Sequence, residues 1–185
     1  MRLLLVPSLA GLLLAAAVQP GLAQSAEPVP AAPGGAAKIT ASSFVSRATQ
    51  SDLLEIESSR LAEKHAKSEN VRQFAQQMVE DHTKSSAKLK DTLAKSKVQQ
   101  PTSLDGTHKR KLEELQKTKE DGFDSAYMRM QVAAHEDAVK LFRNYSTNGD
   151  DSNLQAFAAD TLPVLEAHLR HAKGMAPARS KKPAS

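Results

Sequence analysis

Glu55, His82, His135 and His168 are metal-capable side chains, one in each of four helix-patterned segments. Each falls on the apolar side of its segment. Glu55, His82 and His135 are near mid-helix, and His168 is nearer its C-terminal end. Three neutral imidazoles and one carboxylate form a donor set suited to Zn, Cu, Fe or Mn. The same four groups could instead make a buried polar layer, in which each histidine bonds a carboxylate or a backbone group. Burying an unpaired Glu or His is costly, so some pairing among them is expected in either case. Glu55 with His82, on adjacent antiparallel helices, is the expected pair.

Other patterns carry less chemistry. His135-Glu136 begins like the metalloprotease His-Glu-x-x-His, but position 139 is Val139, so the second ligand is missing. Asp81 and His82 are neighbours on a helix and point about 100° apart, so they form no catalytic dyad. No oriented serine nucleophile accompanies them. His168 and His171 have the i, i+3 spacing of a chelating pair, although His171 lies at the helix edge. Tyr127 and Tyr145 share a face with Met130 and read as core.

Helical periodicity positions these residues. In the first helix, expected from Ser42 or Ser43 to Lys67, Phe44, Ala48, Ala62 and Ala66 share a narrow arc centred on Glu55, with Asp52 outside the centre. The second runs from the Ser68-Glu69-Asn70 break to Lys97. It has Val71, Phe74, Ala75, Met78, Leu89 and Leu93 inward around His82, and Asp81 at the edge. Pro101 and Asp105-Gly106 mark a link, followed by a short charged helix over His108 to Lys119 that Gly122 breaks. The third long helix spans Phe123 to Tyr145. The fourth starts after the Asn148-Gly149-Asp150-Asp151 turn and runs from Asn153 to Lys173, stopping at Gly174, with Pro163 pointing outward. No strand alternation is present. The expected fold is all-α, a four-helix bundle. The long connection before the third helix predicts a ferritin-like crossover that leaves the second and third long helices parallel.

The chain of 185 residues suffices for one ordinary domain. A basic start, an apolar run from Leu3 to Val18 and small residues at Gly21 and Ala23 read as a secretory signal over residues 1–23. Cleavage after Ser25 and an uncleaved anchor are the alternatives. Residues 24–38 read as a Pro/Ala/Gly-rich linker, 39–175 as the bundle and 176–185 as a basic, disordered tail. There is no cysteine, which excludes disulfides, thiolate ligands and thiol nucleophiles. The net charge is +4, and residues 83–119 hold ten Lys or Arg against four acids. That basic stretch has no Phe, Tyr or Trp to stack on bases, which argues against single-stranded nucleic acid. Contact with an anionic membrane surface or a cell-wall polymer is the alternative to a merely solvated basic face.

Three motifs carry a family resemblance: Phe74 to Thr83 (FAQQMVEDHT), Phe123-Asp124-Ser125-Ala126-Tyr127 with the later His135-Glu136, and Leu162 to Leu169 (LPVLEAHL). Together with Glu55-Ile56 they resemble the exported bacterial family called domain of unknown function 4142, over about residues 40–175. The resemblance implies a ferritin-like fold and an envelope location, with members often described as membrane or outer-membrane proteins. It implies no established activity. Its recurrent positions match here at Glu55, Asp81, His82, His135, Glu136 and His168. Di-iron ferritins use Glu-x-x-His on two helices. Here Val79, Val132 and Leu165 stand three residues before the histidines, so a ferritin-type di-iron centre is not expected. The overall expectation is a non-enzymatic periplasmic or envelope bundle with a binding or protective, stress-related role. The alternative is a metal-binding or metal-dependent redox protein built on the four central residues.

Overall fold

The computed structural model describes residues 38–177. The expected signal peptide, nearly all of the linker and most of the basic tail lie outside those residues. Five α-helices follow in order: α1 (Ala41–His65), α2 (Glu69–Thr92), α3 (Gly106–Gln116), α4 (Glu120–Asn148) and α5 (Ser152–Met175). A 3-10 turn, Leu93–Lys95, closes α2. The described residues contain no strand. None of their helices is long and apolar enough to cross a membrane.

Polar residues set the helix starts. Thr40 accepts a hydrogen bond from the Ser43 amide, Asp105 from the amides of Thr107 and His108, and Asp151 from that of Leu154. The turn between α1 and α2 is tied from outside: the Asp124 carboxylate accepts from the amides of Lys67 and Ser68. The second helix ends before the expected Lys97, α3 starts and ends before the expected His108–Lys119, and two glycines do not end helices as expected. Gly122 lies inside α4, which already begins at Glu120, and Gly174 lies inside α5. Glycine disfavours an interior helical position by only about 1 kcal/mol, and a long packed helix overrides that.

The core divides into two apolar halves. One gathers Phe44, Val45 and Ala48 at the start of α1, Leu89 at the end of α2 and Leu93 in the 3-10 turn after it, Leu141, Phe142 and Tyr145 at the end of α4, and Phe157 near the start of α5. Within it Phe44 stacks on Tyr145 with ring centroids 4.0 Å apart. The other half gathers Ala62 and Ala66, Val71 and Phe74, Phe123 and Tyr127, and Ala172. The starts of α2 and α4 therefore share one end of the bundle and their ends share the other. The two helices run parallel, as the crossover requires. The chain returns between them through α3, which lies on α1 and seats Leu115 in the second core half. Between the two halves stands a polar layer.

Candidate metal centre

His82, His135 and His168 enter the polar layer from α2, α4 and α5. Each is 1–3 % exposed. Their ring centroids form a nearly equilateral triangle with sides of 5.4, 5.6 and 5.4 Å. One ring nitrogen from each lies within 4.8 Å of the other two. Helical spacing turns each ring inward, and the relative heights of the helices make the rings meet. Each histidine belongs to the inward stripe of its helix, and the parallel placement of α2 and α4 brings His82 and His135 to one height.

Every imidazole is held through one nitrogen. His82 Nδ1 lies 2.8 Å from Asp52 Oδ1, His135 Nδ1 lies 3.0 Å from the Gln131 carbonyl, and His168 Nε2 lies 3.0 Å from Asp81 Oδ2. These nitrogens face acceptors, so each is the N–H donor of its ring. The opposite nitrogens, His82 Nε2, His135 Nε2 and His168 Nδ1, are buried and have no hydrogen-bond partner. A histidine whose outer nitrogen is fixed by a carboxylate or carbonyl, with its inner nitrogen free, is the arrangement metal ligands use.

Glu55 stands at the edge of this cluster. It is buried, and no group is in good hydrogen-bond geometry with either carboxylate oxygen, although the Gln131 amide lies close enough to favour its charged form. Its Oε1 lies 3.7 Å from His135 Nδ1, and it is not among the donors that converge within 4.8 Å. The expected Glu55–His82 pair is therefore not formed. His82 takes Asp52 instead, whose other oxygen accepts from Ser86 Oγ at 3.1 Å. Asp52 is the residue that helical periodicity misplaced. It sits one turn before Glu55, turned toward α2, and α1 is buried around much of its circumference because α2, α4 and α3 all pack on it. Ser86, one turn after His82, was the available signal. His171 stays out of the cluster and sets its ring edge-on to Phe74 at 5.1 Å.

The electrostatics follow from burial. Burial pushes the Glu55 carboxyl up to about 7, and nearby His82 and the Gln131 amide only partly oppose it. Burial also pushes His135 down to about 3, with His82 and His168 adding repulsion. His168 is lowered by burial and by His82, against the pull of Asp81. For His82, burial works against the charge, but the Asp52 hydrogen bond and charge, helped by Glu55, outweigh it and raise the pKa. The layer thus holds His135 and His168 as neutral imidazoles, the form that binds metal.

The residues fit a metal ion. Metal–nitrogen bonds to histidine are about 2.0–2.1 Å, so two ligating nitrogens stand at most about 4 Å apart. A ring shift below about 1 Å brings the three nitrogens within that range. The donor set is nitrogen-rich with one nearby carboxylate, and holds no thiolate.

A family model described as a domain of unknown function matches residues 25–175. The chain belongs to the DUF4142 family. Two solved structures share the fold of this DUF4142 chain. A DUF305 fragment from Deinococcus radiodurans is 12% identical with a TM-score of 0.63, over 72% of this chain and 92% of that one. CopM in its Cu(II)-bound form is 18% identical with a TM-score of 0.62, over 73% of this chain and 94% of that one. At these identities the likeness is one of fold. No curated protein matches the sequence significantly.

Proposed function

We propose that this protein is an exported metal-binding bundle that holds one late first-row divalent ion on His82, His135 and His168, with the buried Glu55 carboxylate beside them as a compensating negative charge. The observation that carries the reading is the group of buried atoms without partners: three imidazole nitrogens and both Glu55 oxygens. A polar layer accounts for one nitrogen of each ring. It leaves the other nitrogen and the carboxylate unsatisfied, at about 1–3 kcal/mol for each buried group. A cation among them would offset all of these costs at once.

Nitrogen-rich sites favour copper(II) over zinc(II), and both over manganese(II) and iron(II). The fold is also that of a protein whose structure holds Cu(II), which supports copper as the first ion to try. The role that fits is binding and sequestration in the envelope, in line with the leader-like residues 1–23.

Calorimetric titration of untagged protein with Cu(II), Zn(II) and Mn(II) tests this. The expected result is one ion per chain, with copper tightest and a loss of roughly 100-fold or more in His82→Ala. Binding weaker than tens of micromolar, or unchanged in His82→Ala, would overturn it.

A further inference from the structure

A second feature lies apart from the histidine layer. The crossover lays α3 along α1, but α3 stands off α4, where Ala126, Ala133 and Ala134 supply little bulk. A groove of about 390 Å³ remains among the three helices. Its inner wall is apolar: Leu54 from α1, Leu115 from α3, and Ala126 and Met130 from α4. A neighbouring groove of about 350 Å³ shares Leu54, Lys111 and Ala134 with it and continues toward the other end of α3. These volumes are in the range that small-molecule sites occupy.

The rim is charged. Lys111 and Arg129 flank the apolar wall, and Glu114 joins them from α3. Arg47 lines the continuation. Elsewhere on the surface Lys67, Lys84, Lys88, Arg143 and Lys173 are each engaged in an ion pair, whereas Lys64, Lys90, Lys109 and Lys119 stand unpaired among the described residues but line neither of these two grooves. Lys111, Arg129 and Arg47 make no ion pair or hydrogen bond among the described residues. In the continuation, Asp137 pairs with Lys140, and Asp105 is spent on capping α3 and on His108. Glu114 also makes no ion pair among the described residues, so the groove joins an apolar wall to a rim on which the uncommitted cations Lys111, Arg129 and Arg47 outnumber one uncommitted carboxylate.

We propose that the groove between α1, α3 and α4 binds a small anionic amphiphile, with its hydrocarbon against Leu54, Leu115 and Met130 and its carboxylate at Lys111 and Arg129. The fit is chemical. Hydrocarbon burial supplies non-directional affinity. A carboxylate that reaches two uncommitted cations gains charge-assisted hydrogen bonds. A neutral amphiphile gains only the first, and a short carboxylate only the second.

The proposal does not rest on the metal reading, and its test uses EDTA-treated protein. The isotope-labelled full chain is titrated by NMR with decanoate, decanol and acetate in turn. Decanoate is expected to give saturable shifts at the amides of Leu54, Lys111, Ala126 and Ala134, binding about tenfold tighter than decanol, while acetate gives none. Lys111→Gln, at an exposed position, is expected to weaken decanoate about tenfold and leave decanol unchanged. Ala134→Phe, which fills the groove, is expected to weaken both amphiphiles. No saturable shift, equal affinity for decanoate and decanol, shifts centred on the Phe44–Tyr145 core, or an unaffected Lys111→Gln variant would overturn the proposal.

Discussion

His82 Nδ1 and Asp52 Oδ1 lie 2.8 Å apart, with both side chains almost wholly buried. The contact joins α2 to α1 and fixes which nitrogen of His82 carries the proton. It leaves Nε2 buried and without a hydrogen-bond partner. Asp81 does the same for His168 from a more exposed position, its side chain 28% accessible. Outer partners of this kind are worth about 10–100-fold in metal affinity. Asp52→Asn and Asp81→Asn, which keep shape and remove charge, should each weaken copper binding within that range. The loss should be larger for Asp52, which solvent screens less. Calorimetry on the two variants checks this, and wild-type affinity in both would mean that these carboxylates do not position the ligands.

Glu55 makes a prediction about stability with a definite sign. Its folded-state pKa is raised from 4.5 to about 7, because burial penalises the carboxylate. The unfolded chain therefore releases this proton at lower pH than the folded one. The metal-free protein carries no penalty from Glu55 below pH 4.5, and the penalty grows until pH passes about 7. Glu55→Gln should stabilise the metal-free protein above neutrality by up to roughly 3 kcal/mol and give no such gain at pH 4. Urea unfolding at the two pH values reads the difference. A gain as large at pH 4 would show that charge burial is not its source. The same variant should bind copper about tenfold more weakly, so stability and affinity would move in opposite directions.

Gln50 ties the crossover to α1. Its amide donates to the Ser103 carbonyl at 2.9 Å, and its carbonyl accepts from the Asp105 amide at 2.8 Å. Gln50→Ala should cost about 1–3 kcal/mol. It should also speed hydrogen exchange in residues 103–116, while copper affinity stays within about twofold because the histidine layer shares no partner with it. Exchange rates unchanged in α3 would place its anchor elsewhere, at Leu115.

Much of the fold is legible from periodicity. The inward stripes around His82 and around Phe44 and Ala62 reproduce the two core halves, and the length of the link after α2 is what makes α2 and α4 parallel. Glycine is a poorer guide. Gly122 and Gly174 read as helix ends yet lie within helices, because tertiary packing outweighs a small intrinsic cost. The site is legible in part. The convergence of three histidines depends on relative helix heights, and one helix at a time cannot supply these. A single apolar arc also cannot reveal Asp52 or Gln50. They are buried because α1 meets three neighbouring helices, one of them the crossover, and a polar residue on the second or third buried face looks like a surface residue in sequence.

The central claim is that one ion sits on three imidazoles, and X-ray absorption at the copper K-edge of the 1:1 Cu(II) protein measures it most directly. The predicted spectrum shows about three imidazoles by their outer-shell scattering, with first-shell nitrogen at about 2.0 Å. It also shows fewer imidazoles after His135→Ala. A spectrum with one imidazole or none, or one that His135→Ala leaves unchanged, would contradict the claim.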